Sequence, residues 1–247
     1  MTKANAASRR RRASLELVDA KQAVDLATAQ SYSENVFLFI PNLIGYSRII
    51  LAALALHYMS YHPKYCTLLY GISCLLDAVD GHAARALGQT SKFGAVLDMV
   101  TDRCTTSCLL CYLASAYPPY ALFFQFLIAL DFSSHYMHMY RSHKLVTSDV
   151  SRILWLYYND SRTLFFVCAG NELFFVSLYL MKWTASSIGP EGYLAHLSYP
   201  QLIAILTFPI FLVKNIINVV QLWKASKILV GVDLAERESA RQQAKSS

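Results

Sequence analysis

Asp77-Ala78-Val79-Asp80-Gly81-His82-Ala83-Ala84-Arg85, followed by Gly94, Asp98 and Asp102, puts four aspartates into one short stretch of chain. The segments around them are otherwise apolar enough to cross a bilayer. A carboxylate at membrane depth is costly, so four of them at helical spacing need a shared counter-charge, and a divalent metal ion is the obvious candidate. Asp77 and Asp80 are three residues apart, Asp98 and Asp102 four apart, so each pair shares one face of a helix. Hard oxygen ligands from two neighbouring helices suit Mg²⁺ or Mn²⁺ better than zinc.

Composition sets the frame for that cluster. Of 247 residues, 55% are hydrophobic and only 15% charged, whereas a soluble domain carries about 25% charged residues. The apolar runs are spread through the chain, which points to one all-α, polytopic integral membrane protein. The net charge of +6 is not arranged as a groove interleaved with aromatics, so no nucleic-acid partner is expected. Cys66, Cys74, Cys104, Cys108, Cys111 and Cys168 form no CxxC pair, and free thiols acting as small apolar residues are expected. Residues 1–13, with Arg9 to Arg12, are not followed by an apolar run of the kind a cleavable signal needs.

Apolar segments fall at 37–58, 65–86, 94–115, 119–140, 162–183 and 200–223. Each has the roughly twenty residues that span a hydrocarbon core. The expectation is six transmembrane helices. Tyr117-Pro118-Pro119-Tyr120 and Gly189-Pro190-Glu191-Gly192 read as turns on the side opposite both termini. Arg9 to Arg12, Lys92, Arg141, Lys144, Arg152, Lys224, Lys227, Arg237, Arg241 and Lys245 would lie on the terminal side, against Lys64 and Lys182 on the other. By the positive-inside rule both termini are cytosolic. Residues 1–34 are expected to be a basic tail and a weakly amphipathic juxtamembrane segment, 35–225 the transmembrane domain, and 226–247 a polar C-terminal tail.

This topology brings Asp77 and Asp80 close to the cytosolic surface at one end of a short loop, with Asp98 and Asp102 at matching depth beyond it. Gly81 and Ala84 lie one turn from Asp77 and Asp80 and leave room for a close approach. Arg85 sits at the rim, where a guanidinium suits a phosphate. Salt bridges to Arg85, Lys92 or Arg103 account for one or two of the acids, but not for four accompanied by Gly81 and Gly94.

The spacing Asp-x₂-Asp-Gly-x₂-Ala-Arg-x₈-Gly-x₃-Asp-x₃-Asp, met at every fixed position from Asp77 to Asp102, resembles the signature of the CDP-alcohol phosphotransferases. The stretches from Asn35 to Arg48, Phe93 to Arg103 and Cys168 to Phe174 look like the eukaryotic phosphatidylinositol synthase branch of that family, and the likeness covers roughly residues 35–225. It implies a dimeric six-helix membrane enzyme of the endoplasmic reticulum, with its active site in a polar cavity open to the cytosol. Such an enzyme joins CDP-diacylglycerol to myo-inositol, giving phosphatidylinositol and CMP. Carried onto this chain, Asp77, Asp80, Asp98 and Asp102 are the expected metal ligands, with Asp102 also the general base. Gly81, Arg85 and Ser91 are expected at the CDP moiety, with Pro41 and Asn42 nearby.

Other polar residues are less specific. Asp131 and His135 share a face of the fourth segment, and with Arg162 they are expected to help line an inositol pocket; interhelical hydrogen bonding is the plainer explanation for each. Glu172 reads as a packing contact. Arg48 and Lys214 read as snorkelling residues, with Arg48 near enough to Pro41 and Asn42 to face a nucleotide. Within the enzyme class, serine, glycerol phosphate, choline or inositol phosphate are alternative acceptors. A cation transporter using the acids as an ion path is a distant alternative.

Overall fold

The computed structural model describes residues 35–144, 160–184 and 198–246. The basic tail with Arg9 to Arg12, the juxtamembrane segment 14–34, Arg152 and the turn at 189–192 lie outside the described residues. Six long helices account for nearly everything else: α1 (Ile40–Tyr58), α2 (Pro63–Ala86), α3 (Lys92–Ala116), α4 (Ala121–Lys144), α5 (Ser161–Met181) and α6 (Tyr199–Ser246). Apart from the far end of α6 they follow the six apolar segments to within a few residues, and no strand occurs among the described residues.

Local chemistry sets the helix ends. Pro41 and Pro63 stand in the first turns of α1 and α2, where a missing N–H costs nothing. Two residues past the end of α2, Gly88 adopts φ +65°, the left-handed conformation that favours glycine and ends the helix. The Ser91 hydroxyl caps α3 by accepting the Gly94 N–H at 2.9 Å. Asp160 caps α5, accepting the N–H groups of Arg162 and Thr163. Between α3 and α4 the Pro118–Tyr120 turn takes a single 3-10 form.

Three helices are long and apolar enough to cross a membrane by length and composition: α1, α5 over Arg162–Met181, and α6 over Tyr199–Ala244. The other three, α2, α3 and α4, have 24, 25 and 24 residues and carry the ionisable groups that dilute their apolar character. Helix α6 runs well past the expected span into residues read as a polar tail. From Gly231 to Ala244 its side chains are exposed or half-buried with no apolar core beneath them.

Packing divides the bundle lengthwise. Helix α1 packs on α2 and α3, α3 on α4 and α5, and α6 on α4 and α5. An apolar core of Ala55, Tyr70, Leu109, Leu113, Phe124, Phe175, Tyr179 and Phe211 fills one half. The Phe174 and Phe211 rings stack at 4.5 Å there, and the Tyr179 hydroxyl donates to the Met59 carbonyl at 2.8 Å. At the α1–α2 turn, Tyr58, Tyr61, His62 and Tyr65 form a ring cluster, as interfacial aromatics do. All six cysteines are free thiols, as expected. The four aspartates lie in the opposite, polar half.

Candidate active site

Helix α1 runs between the two acidic helices and delivers one cation to both. From Arg48, Nη1 lies 2.7 Å from Asp80 Oδ2 and 2.6 Å from Asp98 Oδ1. Nη2 lies 2.6 Å from Asp77 Oδ1 and 2.5 Å from Asp102 Oδ1. Of the partners the sequence offers, Arg103 reaches Asp102 at 3.4 Å, while the cation that touches all four acids is Arg48. Arg48 does not snorkel: its side chain is 3% exposed. The Ser73 hydroxyl of α2 holds its backbone by donating to the Arg48 carbonyl at 3.1 Å.

One guanidinium leaves four ionised carboxylates far from neutral. Asp77 and Asp98 are the open members, with side chains 41% and 46% exposed, while Asp80 is the deep one at 10%. Asp77, Asp98 and Asp102 each offer an oxygen, and these lie within 4.8 Å of one another. Opposite ligands around a six-coordinate Mg²⁺ are about 4.2 Å apart, so a small side-chain contraction closes the set. The acidic cluster fits a hard divalent cation. Asp80 stands beside this trio, tied to Arg48.

A cavity of about 190 Å³ opens next to the cluster. Pro41, Asn42, Gly81, Arg85 and Ser91 all line it, as do Asp80 and Asp98. Gln89 and Thr90 belong to the same wall, and sequence reasoning passed them over. The Gln89 carboxamide accepts the Ile40 N–H at 3.0 Å, which ties the α2–α3 loop to the start of α1. Asn42 is buried and donates to the Val36 carbonyl at 2.6 Å. Close approach is needed at Gly94, where a Cβ would meet Asn42 Oδ1 at 2.7 Å and Ser91 Oγ at 3.0 Å. At Gly81 a Cβ would meet only the Arg85 guanidinium, at 3.5 Å. Arg85 itself is exposed at the rim.

Asp131 and His135 lie on the other side of Asp102, inside a second polar network. Arg103 Nη1 is 2.9 Å from both oxygens of Asp131, and Nη2 is 3.4 Å from Asp102 Oδ2. Asn218 donates to Asp131 Oδ1 at 3.1 Å and accepts from buried Lys214 at 2.8 Å. His135 Nδ1 stands 2.8 Å from the Asp131 carbonyl. Glu172 accepts from Tyr70 and Thr106, both at 2.7 Å, which is a packing role. Arg162 is exposed at the start of α5, and among the described contacts it does not join Asp131 and His135. The available signal for the missed residues was a charged or amide side chain within an apolar span: Arg48, Lys214 and Asn218 all meet it.

Acids beside a cavity walled by small residues, with an arginine at its rim, suit a divalent cation and an anionic ligand in a membrane helix bundle. The chain belongs to the CDP-alcohol phosphatidyltransferase family, whose family model matches residues 38–226. It is 51% identical to the CDP-diacylglycerol–inositol 3-phosphatidyltransferase of Schizosaccharomyces pombe, covering 84% of this chain and 95% of the relative. The enzyme of the same name from Saccharomyces cerevisiae is 45% identical, covering 81% and 90%. That from Homo sapiens is 43% identical, covering 83% and 97%. No solved structure matches the chain.

Proposed function

We propose that this protein transfers the phosphatidyl group of CDP-diacylglycerol to myo-inositol, releasing CMP. The observation that carries the reading is the likeness to inositol 3-phosphatidyltransferases along most of both chains, joined to the acidic trio beside an open cavity.

The cavity residues suit the CDP moiety. Gly81 leaves space for the pyrophosphate, Arg85 provides a guanidinium for a phosphate oxygen, and Ser91 and Asn42 offer polar atoms to the nucleotide side. Pro41 keeps the start of α1 free of an unsatisfied N–H. Asp77, Asp80, Asp98 and Asp102 would hold Mg²⁺ or Mn²⁺, which when bound supplies charge neutralisation at the phosphoryl oxygens. Asp102 takes the proton from the attacking inositol hydroxyl in this reading. A new P–O bond then forms at the phosphorus bearing diacylglycerol, the P–O bond to CMP breaks, and the proton rests on the Asp102 carboxyl. In this reading Asp131 and His135, reached from Asp102 through Arg103, form the wall on the acceptor side.

Six membrane crossings with the site facing the cytosol agree with the charge bias of the sequence, and the endoplasmic reticulum is the host membrane in this reading. Purified protein given CDP-diacylglycerol and, in turn, myo-inositol, serine, glycerol phosphate, choline and inositol phosphate tests the acceptor through CMP release. Stimulation by myo-inositol is expected; stimulation by another alcohol alone contradicts the assignment.

A further inference from the structure

Arg48 lies on α1, outside the aspartate motif, yet it touches every member of it. The guanidinium takes a single oxygen from each of Asp77, Asp80, Asp98 and Asp102. Nε is buried with no acceptor among the described residues, so all of its bonding goes through the two terminal nitrogens. The carbonyl below it is pinned by Ser73. With α1 lying against both α2 and α3, the planar fork fixes carboxylates from two helices in one register.

We propose that Arg48 is the positioning residue of the metal centre: it holds the four aspartates in ligand geometry and so raises their affinity for a divalent cation. The inference rests on the metal-dependent reading above. Four carboxylates this close repel one another and, without a cation among them, rotate apart or take up protons. Arg48 uses one oxygen of each carboxylate, so it orders the set while leaving a second oxygen on each, that of Asp102 facing Arg103 at 3.4 Å. A lysine could not reproduce this, since a compact ammonium has three donors and no rigid fork.

The charge of Arg48 also repels an arriving cation, so two roles make opposite predictions. A positioning residue raises metal affinity, and a bare counter-ion that competes for the site lowers it. Full-length protein in lipid nanodiscs, stripped of metal and titrated with Mn²⁺ by calorimetry, separates them. Arg48→Gln is expected to weaken Mn²⁺ binding by about 10- to 100-fold, the usual effect of losing a ligand-orienting partner. Arg48→Lys, which keeps the charge and the fold's counter-ion, is expected to lose affinity severalfold but less than Arg48→Gln. Circular dichroism confirms that each variant remains helical, and if Arg48→Gln does not, the lysine variant carries the test. Unchanged or tighter binding in a folded variant overturns the proposal. No Mn²⁺ binding by the wild-type protein removes the metal reading itself, and this proposal with it.

Discussion

Arg103 Nη1 sits 2.9 Å from both carboxylate oxygens of Asp131, while Nη2 reaches to within 3.4 Å of Asp102 Oδ2. The pair joins α3 to α4 beside Asp102. Both side chains are largely buried, at 13% and 12% exposed. Removing one partner takes away the main counter-charge of the other. Arg103→Gln and Asp131→Asn are each expected to lower stability by about 3 to 5 kcal/mol. The double variant should lose less than the sum. Thermal unfolding of the three variants in detergent, run as a double-mutant cycle, checks this; additive losses contradict the pairing.

The proton acceptor can be separated from substrate binding. Asp102→Asn is expected to slow single-turnover formation of phosphatidylinositol by about 100- to 10,000-fold. Affinity for CDP-diacylglycerol should stay within a few-fold of wild type. Retained turnover contradicts the assignment of Asp102 as the base.

Asp77 has a different task and should fail differently. Asp77→Asn is expected to raise the Mg²⁺ concentration needed for half-maximal activity and to weaken nucleotide binding in the same variant. Titrating Mg²⁺ at several CDP-diacylglycerol concentrations reads both. Stripping metal from the wild-type protein with a chelator should abolish turnover, and Mg²⁺ or Mn²⁺ should restore it.

Two glycines beside the cavity make opposite demands. At Gly94 a Cβ would sit 2.7 Å from Asn42 Oδ1, so Gly94→Ala is expected to cost about 1 to 3 kcal/mol of stability as well as activity. At Gly81 the nearest atom is the end of Arg85, at 3.5 Å. Gly81→Ala should therefore fold normally but raise the KM for CDP-diacylglycerol, since its methyl group enters the cavity. Melting temperature and steady-state kinetics on both variants tell the two effects apart.

Much of this architecture was legible because it is written locally. The six helices follow apolar runs and punctuation: Pro41, Pro63, Gly88, Ser91 and Pro118 each act within a few residues of themselves. The pairing of Asp77 with Asp80 and of Asp98 with Asp102 is likewise a matter of helical period. Arg48 was not legible in the same way. Its role depends on α1 lying against both α2 and α3, which no local pattern states. Arg103 and Asp131 posed the same problem, because their contact spans two helices. The polar end of α6 was read as a tail because its exposed residues carry no apolar stripe, yet the helix continues to Ser246.

Transfer of a phosphatidyl group to myo-inositol is directly measurable. The most direct measurement places purified protein in vesicles with CDP-diacylglycerol, Mg²⁺ and labelled myo-inositol, and follows label in the lipid fraction together with CMP in the water. The expected result is labelled phosphatidylinositol and CMP appearing in equal amounts, each requiring both substrates. CMP release that ignores inositol, with no label entering lipid, contradicts the account.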